Sequence, residues 1–436
     1  MKRSRTTETY STTVKSFWQT DILVIGGGPA GVIAALAAAE QGAAVTLVER
    51  YGFLGGISTQ VIDTFCGYYP PGDNAKRIIG GIPDRVVDAL MQRGKALYRM
   101  CPYSGSKLIT YDPPTLKVVW ETMAQQAGVR VLLHTFVVDA WRDRDRIMGV
   151  VAVNKGGFVR LQAGVVIDAS GDADVAAAVG VPFESAEHGP VQPLTTTFRL
   201  MKVDVERAQQ VEEAELQALM TEAVEGNGYD LPGRNAIFYI TPLAGVVGTN
   251  MTRISGIDPT DPLQLSEAER QGRRQAIEYM RFLKDYVPGF ENAELVNFST
   301  QIGIRESRRI FGDYRLTGED VLSGRSFEDA IAKGAWPIEE HQAKHDIRWQ
   351  HLSDGVAYDI PYRSLLPQRV EGLLVAGRCL SADHDAHASV RVMAQCMAMG
   401  QAAGVAAALA SDKSLMPREV SMAELQDCLR ELGAVI

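Results

Sequence analysis

Residues 21–49 read D-I-L-V-I-G-G-G-P-A-G-V-I-A-A-L-A-A-A-E-Q-G-A-A-V-T-L-V-E, and this stretch decides the fold. A short apolar run at 21–26 ends in a glycine cluster, and an alanine-rich segment at 30–41 follows at helical spacing until Gly42 stops it. Residues 44–49 form a second apolar run. Strand, glycine turn, helix and strand make one βαβ unit, and near-continuous apolar strands belong to a parallel sheet covered on both faces. The expected class is α/β: a Rossmann-like parallel sheet with helices and a β-meander, carrying an inserted α+β domain.

Outward from that unit, short β-branched segments between 129 and 170 read as a meander that re-enters the parent sheet through 165–169. From 193 to about 364 the texture changes. Strand-like pieces such as T-T-T-F-R-L (195–200) and A-I-F-Y-I-T (236–241) alternate with helical stretches such as 267–284, as expected of a second domain inserted into the first. The strand-then-glycine texture returns at 372–377 (G-L-L-V-A-G), and 390–410 is rich in Ala, Met and Gly at helical spacing. Residues 1–19 read as a flexible arm or an edge addition.

A chain of 436 residues with 46% hydrophobic residues can bury a sizeable core. The net charge of -9 is spread along the chain without a basic run, so no nucleic-acid partner is expected. Five widely spaced cysteines without a C-x-x-C pair argue against a disulfide framework or a zinc site, and place the chain in a reducing cytoplasm. Residues 6–19 lack the apolar core of a secretory signal. The most apolar span, 23–36, is interrupted by Gly26, Gly27, Gly28 and Pro29 and is too short to cross a bilayer. Homo-oligomers stay open.

Gly26, Gly28 and Gly31 form G-x-G-x-x-G around Pro29 and Ala30. The three glycines serve a tight turn, close backbone approach to a pyrophosphate, and close packing of helix on strand. The helix start offers free N–H groups and a partial positive charge. Glu49, followed by Arg50, ends the second strand, where an acidic side chain accepts ribose hydroxyls and disfavours a 2′-phosphate. The alternative is a glycine-rich turn with no ligand. Nothing here separates NAD from FAD.

Three later segments bear on that choice. Residues 52–60 (G-F-L-G-G-I-S-T-Q) bring Gly55, Gly56, Ser58 and Thr59; residues 168–174 (D-A-S-G-D-A-D) bring Ser170, Gly171 and Asp172; the third is 372–403. With the fingerprint, these segments resemble the glutathione-reductase-like flavoproteins. More narrowly, they resemble the bacterial FAD-dependent oxidoreductase family, distantly related to fumarate reductase flavoproteins. The likeness spans nearly the whole chain, including Y-D-P-P-T-L-K (111–117), I-R-E-S-R-R-I-F-G-D-Y (304–314) and Y-D-I-P-Y-R-S-L-L-P (358–367).

The resemblance implies FAD, held also by Val137, Gly377, Arg378, Asp383, Ser389, Arg391 and Val392. It divides the chain into an FAD-binding part at 20–190, an inserted substrate or cap domain at 191–365, and a completing part at 366–436. It further implies a helix starting near Ser389 whose N-terminus faces the flavin's pyrimidine edge, stabilising the reduced anion by about 0.3–2 kcal/mol. Plain core packing is the alternative for that helix. No histidine occurs between Glu49 and Gln60 to tether the cofactor; Cys66 or Cys101 could do so in principle, or be ordinary buried cysteines.

For the reacting end, Arg305 and Glu306 lead a charged group with Arg308 and Arg309, suited to a carboxylate or carbonyl oxygen or to an ion pair joining domains. His384 and His387 are candidate proton carriers or cap residues. Their H-D-A-H spacing lacks a third ligand for metal. Tyr358 can donate to a substrate oxygen or sit in an interface, and the loop with Cys66, Tyr68 and Tyr69 reads as a lid. The expected activity is a dehydrogenase or oxidase passing hydride from a small polar substrate to flavin and on to an acceptor. A flavin monooxygenase and a non-catalytic redox sensor are the alternatives.

Overall fold

The computed structural model describes residues 11, 13, 14, 16–72, 75–189, 191–233, 237–342 and 347–436. Most of the expected N-terminal arm therefore lies outside the described residues, but residues 16–20 prolong the first strand, Ser16–Ile25.

The main sheet has seven strands. Arg130–Leu132, Val45–Val48, Ser16–Ile25 and Gly157–Asp168 run parallel in that order, and Arg146–Asn154 and Phe136–Asp143 continue it antiparallel as the meander. The first half of Gly157–Asp168 pairs with the meander and its last residues pair in parallel with Leu373–Val375. The C-terminal segment thereby completes a sheet begun by the N-terminal one.

Side-chain alternation assigns the two faces of the first strand. Ile22 and Val24 enter one core with the helices Pro29–Glu40, Ile82–Gln92, Pro113–Gln126 and Met393–Asp412. Leu23 and Ile25 enter a second core with Val150, Ala152 and Val175 on the meander side. The first and last of those helices touch backbone to backbone: a Cβ at Gly400 would sit 2.2 Å from the Ala30 carbonyl oxygen, and one at Gly404 2.3 Å from that of Ala34. Met393–Asp412 is, among the described residues, the single helix long and apolar enough to cross a membrane, and 94% of its apolar window is buried inside the protein.

The helix expected over 390–410 runs as Met393–Asp412, and a separate short helix precedes it. His384–Val390 is capped by Asp383, and Met393–Asp412 starts only after a break at Arg391 and Val392.

Phe238–Ile240, Val247–Thr249, Phe198–Met201 and Glu294–Phe298 form an antiparallel sheet in that order, covered by Glu213–Asn227 and Pro262–Tyr286. Phe198, Leu216, Tyr279, Phe282 and Phe290 give this block a core of its own. Leu316, Ile331, Ile338, Tyr358 and Leu366 pack instead into the main core. The separately packed block is thus narrower than 191–365. A small sheet of Thr64–Phe65, Lys107–Tyr111 and Ala96–Met100 has no counterpart in the sequence reading.

Candidate functional site

Four parallel strands end at one cleft, which is lined by Ile25 and Gly26, Val48 and Glu49, Ala169 and Ser170, and Ala376 and Gly377. This is the edge where open α/β sheets bind ligands, because the loops that leave it diverge.

The three glycines divide their work as their spacing predicts. Gly26 has φ +98°, and a Cβ there would lie 2.4 Å from the Ala169 carbonyl oxygen; one at Gly31 would lie 1.8 Å from that of Gly26. A Cβ at Gly28 would meet nothing within 4 Å, so this backbone opens onto the cleft. Pro29 and Ala30 line the cleft beside it. The helix Pro29–Glu40 has no side-chain cap and no acidic residue in its first turn. Its N-terminal N–H groups and dipole form an anion site that the chain itself leaves unfilled.

Glu49 is buried, and its carboxylate accepts the N–H of Gly27 at 2.7 Å and of Tyr51 at 2.9 Å. Burial raises its pKa, while these two N–H groups and Arg50 oppose the rise. Two oxygens with about four lone-pair sites leave room for a ribose hydroxyl. Arg50, Gly56, Val137, Gly171 and Asp172 complete this end of the lining. Asp172 is held by Ser307 at 2.6 Å and Arg378 at 2.8 Å; burial works against its charge, but Arg378 and Ser307 outweigh it and keep the pKa low.

Gly31, Gly55, Ser58 and Thr59 stand behind the lining. The Ser58 hydroxyl donates to the Gly55 carbonyl and that of Thr59 to Leu54, which shapes the loop carrying Gly56. Arg378 and Val392 line the middle of the cleft, where Met393–Asp412 begins without a side-chain cap, and Arg391 lines the side toward Glu339, whose carbonyl it reaches. Asp383 and Ser389 lie away from it. Asp383 accepts the N–H groups of Ala386 and Gly318, and Ser389 bonds to Tyr358 and the Trp336 carbonyl. The break in the helix moves the exposed N-terminus from Ser389 to Val392.

Of Arg305, Glu306, His384, His387 and Tyr358, all expected at the reacting end, Arg305 alone lines the cleft. Its guanidinium donates to the Pro193 carbonyl at 2.6 Å and to Asn250 Oδ1 at 3.1 Å, and burial, together with the charge of Arg391, lowers its pKa to about 9. Glu306 lies wholly buried behind it, 3.0 Å from both His384 and Arg309. Burial pushes Glu306 up, but the hydrogen bond from His384 and the neighbouring His387 and Arg309 outweigh it and hold the carboxyl at about 2. His387 faces the Arg378 carbonyl at 2.9 Å, and burial drops it to about 3. Tyr358 is buried against Ser389. Tyr68 is not a lid either, being buried with its hydroxyl on the Pro83 carbonyl, although Cys66 of the same segment reaches the lining.

The sequence reading missed Glu339, His341, Trp336 and Trp349, all of which line this end. His341 Nε2 lies 3.0 Å from Glu339, which also accepts the indole N–H of Trp336 at 2.8 Å. Burial, then the charge of Arg305, drops His341 to about 3 against the pull of Glu339, so the imidazole is neutral. The readable signal was W-P-I-E-E-H, in which Glu339 and His341 fall two apart on one strand face. Among the described residues no group of three potential metal ligands occurs.

A family model described as FAD dependent oxidoreductase matches residues 21–429. The chain belongs to this family. The uncapped helix start, the open face of Gly28 and the free lone pairs of Glu49 fit the phosphates and ribose of this family's FAD. Among curated relatives, a thiamine thiazole synthase of Aeropyrum pernix is 30% identical over 145 residues, which is 33% of this chain and 47% of that protein. A digeranylgeranylglycerophospholipid reductase of Methanothrix thermoacetophila is 29% identical over 164 residues, 35% of this chain and 39% of that protein. The matched region spans less than half the length of either relative. A geranylgeranyl bacteriochlorophyll reductase-like structure from Thermoplasma acidophilum shares the fold at a TM-score of 0.50 and 13% identity, over 95% of this chain and 84% of that one.

In this flavoenzyme Cys66 and Cys101 both line the cleft. Burial pushes the Cys66 thiol up, which disfavours the thiolate that a covalent tether requires.

Proposed function

We propose that this FAD-dependent oxidoreductase is a dehydrogenase or oxidase that takes hydride from a small polar substrate lodged between Arg305 and His341. The reading rests on one observation: a single continuous lining joins the glycine turn to a buried polar chamber containing Arg305, Asn250, Glu339 and His341. FAD, when bound, supplies the two-electron acceptor. Arg305, steadied by Pro193 and Asn250, anchors an electronegative group of the substrate. Neutral His341, oriented by Glu339 at 3.0 Å, accepts the proton that leaves as the hydride departs. The Trp336 indole holds Glu339 in place. The substrate thus loses one hydride and one proton, and the new double bond stays in the product.

A cytoplasmic location, an electron acceptor, a substrate-holding role for the inserted block, and kinship with glutathione-reductase-like and fumarate reductase flavoproteins belong to the same proposal. The test is anaerobic mixing of the flavin-loaded protein with hydroxy acids, amines and saturated acids. Bleaching of the flavin by one class, recovered on adding an acceptor, is the expected result. Bleaching by NAD(P)H alone, with oxygen uptake coupled to a substrate, would make it a monooxygenase instead.

A further inference from the structure

The far end of the cleft carries an uneven charge. Arg99, Arg305 and Arg391 all line it, against the one carboxylate of Glu339 and a neutral His341. Their hydrogen bonds go to neutral oxygens: Arg305 to Pro193 and Asn250, Arg391 to Gln192 and the Glu339 carbonyl, Arg99 to Thr64 and Thr110. Among the described residues none of the three makes an ion pair. Arg305 is only 7% exposed, and a buried guanidinium without a counter-ion is costly unless a ligand supplies one.

The same chamber has a flat apolar wall. Tyr103 and Trp349 stack with ring centroids 6.1 Å apart and planes 4° from parallel, and Trp336 meets Trp349 edge-on at 6.3 Å. All three line the cleft. Aromatic walls accept planar rings and organic cations alike, but three guanidinium groups exclude the cations.

We infer that the ligand of this chamber is an aryl or similarly planar carboxylate, its carboxylate paired with Arg305 and its apolar body laid against Trp336, Trp349 and Tyr103. The inference rests on reading this end of the cleft as the substrate chamber.

The test titrates the flavin-loaded protein with benzoate, phenylacetate, benzamide, benzylammonium and acetate, following tryptophan fluorescence and the visible flavin spectrum. Benzoate or phenylacetate is expected to saturate at least tenfold more tightly than benzamide and acetate, with no response to benzylammonium. Arg305→Gln should weaken the aryl carboxylates by about tenfold to a hundredfold, and Trp336→Leu should erase their advantage over acetate. The comparison of ligands on the unaltered protein stands even if a variant fails to fold. Benzamide binding as tightly as benzoate, or unchanged benzoate affinity in folded Arg305→Gln, overturns the inference. Preference for aryl carboxylates in a protein whose flavin no substrate bleaches supports it while sinking the proposed hydride chemistry.

Discussion

Glu306 and His384, 78 residues apart in the chain, meet at 3.0 Å behind the cleft and form the centre of a buried network. Arg309 and the Gln192 N–H reach the same carboxylate, each at 3.0 Å. Glu306 is therefore a positioning group that fixes the segments on which Arg305 and Arg391 stand. Glu306→Gln leaves Arg309 with Glu184 and His384 with Glu340 as their remaining acidic partners, and should cost about 1–3 kcal/mol of stability. Urea unfolding measures this; a loss below about 1 kcal/mol would contradict the network's importance.

The imidazoles of His387 and His384 give opposite pH signatures. His387 has its pKa lowered by burial to about 3, below the unfolded value near 6.5, so its contribution is complete above pH 6.5 and drains away as pH falls. His384 has its pKa raised by the Glu306 hydrogen bond, so its contribution is complete below pH 6.5 and is lost as pH rises through its folded value. The raised carboxylates of Asp84 and Asp174 also titrate near pH 6, so each effect is read as a difference between wild type and variant. Relative to His387→Gln, the wild type should lose up to about 1.4 kcal/mol per pH unit from 6.5 to 5. Relative to His384→Gln, its advantage should shrink above pH 6.5. Denaturant midpoints across pH 5 to 8 decide both signs.

Gly28 and Gly31, three positions apart in the fingerprint, should behave differently. Gly31→Ala drives a methyl to 1.8 Å from the Gly26 carbonyl oxygen and should destabilise the protein by several kcal/mol, with or without FAD. Gly28→Ala meets nothing within 4 Å and its φ of -73° suits alanine. Its flavin-free stability should shift by no more than about 0.5 kcal/mol, whereas FAD affinity falls at least tenfold because the methyl fills the cleft. Thermal melts and flavin titration separate the two effects.

His341→Gln should slow flavin reduction by substrate about 10²- to 10⁴-fold while FAD content is retained. Stopped-flow absorbance checks this. An unchanged rate would remove His341 as the proton acceptor.

With the Cys66 thiolate disfavoured by burial, FAD should be held without a covalent bond. Denaturation should release all the yellow colour into the supernatant, and a coloured pellet would contradict it.

The dinucleotide end was legible in the sequence because its requirements are local. Gly26 takes a positive φ, Gly31 packs on the Gly26 carbonyl, Gly28 keeps the cleft open, and Glu49 ends the next strand of the same βαβ unit. The reacting end was not legible, because its chemistry depends on which charged residues reach the cleft and which neutralise one another behind it. Glu306, His384 and His387 looked reactive by type and turned inward, while Glu339 and His341 lay unnoticed on a short strand. Sequence alone determined the α/β class and the glycine turn, since short-range geometry and hydrophobic period suffice for these, while FAD followed from the resemblance of separated segments to a known family. Tertiary structure alone decided which arginines stay without an ion pair among the described residues, because ion pairing and desolvation depend on distances between segments more than fifty residues apart, such as Arg305 and Asn250.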